Sequence, residues 1–286
     1  STLDRSSAAS DVYKRQFLDK IPNHAIINEA VNIAKRRGGQ HNGNIVNAIL
    51  RHIFKSDLPT LETIKNEKQR MTIEYSIPRW IIEHWITHYG IETTHKIAKS
   101  FLVQSASTVR VNTSRTDVET ISKELLQEGY HVDIDQLIPY CLHLTGKPVI
   151  ESRAFKDGLI SIQDKSSMLV GYLMDVQKGD TILDACSAPG GKACHMAELL
   201  ASTGHVDATD IHKHKIGLIK ENIKKLKLKN VSTFDHDATQ PYSELYDKIL
   251  VDAPCSGLGV LRHKPEIKYV QSKDCLLYTS PSPRDS

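Results

Sequence analysis

From Asp180 onward, short apolar runs alternate with stretches of helical period. Thr181 to Asp184, His205 to Asp210, Val231 to Phe234 and Lys248 to Asp252 read as strands. The segment after Lys192 and the one from about His214 to Leu226 read as helices. Strand–helix alternation predicts a parallel, doubly wound α/β sheet with its ligand at the carboxyl ends of the strands.

Upstream the period changes. Ile26, Ile27, Ala30, Val31 and Ala34 recur at helical spacing after a candidate cap at Asn23, and Gly38 marks a stop behind three cations. A second helix carries Ile45, Val46, Ile49, Leu50, Ile53 and Phe54. Two such helices cannot close a core unaided and read as part of a larger helical domain. Residues 59 to 70 read as a polar connector. A helix then begins near Pro78 and stops at Gly90, its Trp80 and Trp85 spaced to fill a core, and 93–102 reads as a further helix. Alternation over Thr108 to Asn112, a capping box at Thr116 to Glu119, and strands at Tyr130 to Ile134, Cys141 to Leu144 and Leu159 to Ile162 predict a small α/β subdomain.

Composition narrows the class. The 286 residues are 40% hydrophobic and 25% charged, as in soluble globular proteins, and no apolar run approaches a membrane span. We expect a cytoplasmic monomer without membrane or metal. The five cysteines lack Cys-x-x-Cys spacing, so neither a zinc ribbon nor a disulfide framework is supported. A net charge of +3 permits a nucleic-acid partner without demanding one. Residues 1–16 and 275–286 resemble translated cloning sequence and are expected to be non-native tails.

The chemistry concentrates in Asp184-Ala-Cys-Ser-Ala-Pro-Gly-Gly-Lys192, a strand, a Pro/Gly turn and a helix start. Cys186 stands where a Walker A loop needs its first glycine and Ala193 where it needs Ser or Thr; the dinucleotide Gly-x-Gly-x-x-Gly pattern is absent as well. Asp210, at the next strand end, holds the place of a ribose-binding carboxylate. The combination suits a nucleoside ligand without a required pyrophosphate, such as S-adenosylmethionine. Asp184, Asp210, Asp237 and Asp252 all fall at or just past predicted strand ends, around one expected cleft.

Asp252-Ala-Pro-Cys-Ser-Gly-Leu-Gly259 follows the fourth strand. Amino-directed methyltransferases place an aromatic residue where this chain has Cys255. A thiol there points to methylation of pyrimidine carbon, since C5 becomes nucleophilic only after a thiolate adds to C6.

DACSAPGGK (184–192), ATDIHKHK (208–215), DAPCSGLGVLRHKPEIKY (252–269) and IPNHAIINEAVNIAKRRGG (21–39) together resemble the bacterial 16S ribosomal RNA cytosine-C5 methyltransferases of the RsmB (Sun/Fmu) family, over about residues 17–274. The resemblance implies a partial all-α NusB-like RNA-binding domain (17–70), a helical linker with a small α/β RNA-binding subdomain (71–150), and an incomplete Rossmann-like S-adenosylmethionine-dependent methyltransferase domain (151–274). It implies donor binding by Cys186, Ser187, Ala188, Pro189, Gly190, Gly191, Lys192, Asp210, Asp237 and Asp252, and small-subunit ribosomal RNA as partner. Cys255 matches the helper thiol that assists product release.

The family's covalent nucleophile lies in a Thr-Cys-Ser/Thr loop farther on, for which this sequence has no counterpart; Cys275 echoes it only superficially. The expectation is an inactive chain, truncated at both ends, with much of the donor pocket. The rival readings are a DNA cytosine-C5 methyltransferase with Cys255 as nucleophile, and a non-catalytic RNA-binding module.

Overall fold

The computed structural model describes residues 22–55, 60–102, 106–262 and 264–272. Both expected tails, with Phe17 and Cys275, lie outside them. The chain divides into two compact units, one built from residues up to 104 and from Cys255 onward, the other from Ser105–Pro254.

The first unit is helical. Helix α1 (Asn23–Lys55) is broken at Gly38 and Gly39, the latter at φ 76, so the glycine stop separates two helices as the pattern predicts. Ile26, Ala30 and Leu50 are buried, but Ile45 and Ile49 are exposed, which leaves two of the six residues of the second apolar stripe uncovered. Part of the expected polar connector is instead helix α2 (Glu67–Glu74): Asn66 caps it by accepting from the Gln69 amide, a signal hidden in a polar stretch. Helix α3 (Arg79–Ser100) is broken at Gly90, φ 75, so the glycine separates two helical stretches as the pattern predicts. Trp85 is buried with Met71, Ile77, Ile81 and Ile82, and Trp80 packs against the same cluster, so both tryptophans serve the core.

The second unit contains two sheets. In the first, β1 (Ser107–Val111) is followed by α4 (Val118–Gln127), β2 (His131–Ile134), β3 (Cys141–Thr145), a single turn α5 (Arg153–Lys156) and β4 (Ile160–Ile162). These strands pair antiparallel in the order β2-β3-β1-β4. Ile121 and Leu125 of α4 close a core over Val109, Val111, Leu142 and Leu144. The helix cap is Asp117 rather than Thr116; its carboxylate accepts from the Thr120 amide and hydroxyl, both at 2.8 Å.

A helix the sequence pattern did not show, α6 (Lys165–Leu173), leads to the second sheet. There β5 (Thr181–Asp184), α7 (Gly191–Leu199), β6 (His205–Asp210), α8 (Lys213–Leu226), β7 (Val231–Asp235) and β8 (Lys248–Leu250) alternate as expected. The strands are parallel, in the order β7-β6-β5-β8. Ile182 and Val206 are buried against Ala193, Met196 and Ala197 of α7 and Ile216 and Ile219 of α8. The carboxyl ends of central β5 and β6 thus open at one edge, where a doubly wound sheet holds its ligand. A short helix, α9 (Ile267–Val270), belongs to the first unit.

Candidate functional site

The turn after β5 is held from three sides by backbone hydrogen bonds. The Ala185 amide donates to the Leu250 carbonyl of β8 (2.9 Å), that of Ser187 to Thr209 of β6 (2.7 Å), and that of Gly190 back to Ser187 (2.6 Å). Asn222 of α8 donates to the Pro189 carbonyl at 2.8 Å. Gly190 sits at φ 99 as the N-cap of α7, a conformation that favours glycine. A Cβ there would meet Ile219 at 3.0 Å, so the loop lies flat on α8.

Above this turn is a cavity of about 240 Å³ lined by Asp184, Cys186, Ser187, Ala188, Pro189, Gly191, Lys192 and Asp252. Most of the residues expected at the site are therefore in one place. Gly190 lies beneath as the hinge of the turn. Four further lining residues, Ile162, Gln163, Asp164 and Ser167, come from the end of β4 and the start of α6. The sequence pattern predicts the strand itself, at Leu159 to Ile162, but no local pattern shows that its end packs beside the turn after β5.

The electrostatics are acidic. Asp184 is 1% exposed, its carboxylate oxygens are fully buried beside Ser187, and it forms no ion pair among the described residues. Burial raises its pKa to about 6, only partly offset by the Ser187 hydroxyl and the Lys192 ammonium. Lys192 Nζ lies 2.5 Å from Asp252 Oδ2, joining the start of α7 to the segment after β8. Burial pushes the Cys186 thiol up, and the charges of Asp210, Asp184 and Asp252 push in the same direction, so Cys186 stands protonated among three carboxylates.

Asp210 and Asp237 do not line the cavity itself. Asp210 is buried, accepts from the His212 amide at 3.0 Å and lies 3.7 Å from Lys215 Nζ, while its charge still reaches Cys186. Asp237 turns its carboxylate onto the amide and hydroxyl of Thr239 (3.0 and 2.8 Å), bonds that hold it below the usual carboxylate range. Cys255 belongs to the first unit and is exposed.

One cluster outside the cavity has metal-ligand chemistry. Ligand atoms of Asp135, Cys141 and His143 lie within 4.8 Å of one another. Lys165 Nζ already stands 2.7 Å, and His143 Nε2 3.0 Å, from Asp135 Oδ2, and burial pushes the Cys141 thiol to about 11. An ammonium thus supplies the positive charge there, and we read the cluster as a buried ion-paired anchor between β3 and α6.

Three family patterns match the chain: 16S rRNA methyltransferase RsmB/F over residues 171–282, an RsmF/B-like ferredoxin-like domain over 77–151, and the NusB family over 11–55. A probable ribosomal RNA small subunit methyltransferase B of Bacillus subtilis is 39% identical over 267 residues, covering 92% of this chain and 60% of that protein. A protein of the same name in Synechocystis is 29% identical over 91% of this chain and 60% of its own length. The chain thus spans about 60% of the length of these curated relatives. Among solved structures, that of PH0851 superposes with a TM-score of 0.78 at 28% identity, covering 93% of this chain and 61% of that one. That of NSun6 from Pyrococcus horikoshii with SFG gives 0.65 at 22% identity, covering 71% and 76%, a likeness of fold.

Proposed function

We propose that this chain, which belongs to the RsmB/F family of 16S rRNA methyltransferases, holds S-adenosylmethionine in the cavity above the Asp184–Lys192 turn. We further propose that the whole protein transfers the methyl group to C5 of a cytosine in small-subunit ribosomal RNA. The observation that carries this reading is the buried Asp184 carboxylate, which forms no ion pair among the described residues, in a cavity that Asp252 also lines. Such a site repels phosphates and suits a nucleoside bearing a sulfonium and an ammonium. The α7 N-terminus, with its partial positive charge, suits the donor's carboxylate. We assign Cys186 to Lys192, Asp210, Asp237 and Asp252 to holding the donor, with Asp184 added; Asp237 also caps the turn that follows β7 through Oδ1.

When bound, the donor supplies an electrophilic methyl group. Cytosine C5 can attack it once a thiolate has added to C6. Burial pushes the thiols of Cys141 and Cys194 to about 11 and 12, and that of Cys186 upward, which keeps all three protonated and unreactive. Cys255 is the exposed thiol among the described cysteines, and we assign it the helper role in releasing the methylated base. The C6 nucleophile is then a second cysteine of the whole protein.

The test is transfer from radiolabelled donor to undermethylated small-subunit RNA and to DNA, read at cytosine C5 after digestion, with the whole protein and its Cys255→Ala variant. Label in RNA alone, with a trapped protein–RNA adduct in the variant, is expected. Label in DNA with the adduct lost would make Cys255 the nucleophile of a DNA enzyme. RNA binding without donor binding would leave a non-catalytic module.

A further inference from the structure

Arg110 of β1 is the bulkiest of the fully buried side chains among the described residues. Its guanidinium forks onto Glu198 of α7, with Nε to Oε2 and Nη2 to Oε1 both at 2.8 Å. The remaining arm, Nη1, donates to the Gly191 carbonyl at 3.1 Å and to Oε1 of Gln163. A guanidinium has donors only, so the Gln163 amide can present nothing but its oxygen to Arg110. The amide nitrogen, with two N–H groups, is thereby turned away. It is buried and finds no acceptor in the protein, and Gln163 lines the cavity of Asp184 and Gly191 as well as an adjoining one of about 220 Å³ that Arg110 also lines. A buried donor left without a partner costs more than an ordinary hydrogen bond returns, so this orientation is unfavourable unless a ligand completes it.

We propose that Gln163 Nε2 donates to an acceptor atom of bound S-adenosylmethionine, and that Arg110 is the positioning residue that fixes the amide's direction. The inference rests on the donor-site reading given above. It makes the cavity selective at one point for an acceptor, against its otherwise acidic lining. It also makes donor affinity depend on β1, a strand of the antiparallel sheet.

Calorimetric titration of the full 286-residue chain with S-adenosylmethionine tests it. Gln163→Glu preserves a partner for Arg110 but has only acceptors when ionised, and it should bind about tenfold or more weakly at pH 8. Relative to wild type at each pH, the Glu variant should recover affinity as acidification returns a donating proton to its carboxyl. Gln163→Met should show the loss without the recovery, and it decides the matter if the Glu variant melts early. Affinity within twofold of wild type in a folded variant overturns the inference alone. No saturable binding by the wild-type chain overturns the donor-site reading beneath it.

Discussion

Arg110 and Glu198 form a two-pronged ion pair with both side chains 1% exposed, fastening the antiparallel sheet to α7, the helix that begins at the Gly190 turn. Removing one member strands the other as a buried charge. Arg110→Met should cost roughly 3–5 kcal/mol in urea unfolding, because an uncompensated buried carboxylate is far costlier than a well-packed apolar pair. Adding Glu198→Leu should restore much of the loss. Additive losses in the double variant would contradict this reading of the pair.

Gly190 is the position in the turn least able to accept a side chain. At φ 99, with Ile219 at 3.0 Å from a would-be Cβ, Gly190→Ala should lower stability by roughly 1–3 kcal/mol. Donor affinity should fall with it, since Ser187 and Gly191 are placed by this residue. Thermal melting and calorimetry on the same sample read both effects.

Asp184 gives two opposite pH dependences. Its folded pKa of about 6 stands above the usual carboxylate value of about 4, so the folded chain holds a proton the unfolded chain has released. Its contribution to stability is whole below about pH 4 and is lost as pH rises through about 6. Donor affinity should move the other way, because a bound ammonium favours the ionised carboxylate. It should rise from pH 5 to 7 and level off above. Asp184→Asn should flatten both profiles, and persistence of either slope would assign it to another group.

Strand β8 lies at the edge of the parallel sheet among the described residues, and Ile249 and Val251 are 57% and 60% exposed. An exposed apolar edge templates pairing between chains. Ile249→Lys should therefore reduce light scattering on warming without lowering the melting temperature, whereas unchanged scattering would place the association surface elsewhere.

The parallel sheet and the glycine turn after β5 were legible because each depends on local signals: apolar runs of strand length, paired glycines, and carboxylates at strand ends. Gln163, Asp164 and Ser167 were not, since the pattern predicts β4 as a strand but only tertiary packing brings its end beside β5. The α2 cap at Asn66 was lost in a polar stretch, and Asp117 displaced Thr116 because a carboxylate one residue later reaches the Thr120 amide. Asp237 holds its turn through Oδ1 alone, a local bond that a count of acidic strand ends does not show. Likewise, the charge network of Arg110, Glu198 and Gln163 joins residues 53 and 88 positions apart, a distance no local pattern spans.

The most direct measurement is competitive calorimetry on the full chain with S-adenosylmethionine and ATP, two adenosine ligands of opposite charge. Saturable one-to-one binding of S-adenosylmethionine, weakened by Asp184→Asn and Gly190→Ala, with no binding of ATP, is the expected result. Binding of ATP at the same site, or no saturable binding of S-adenosylmethionine, would contradict it.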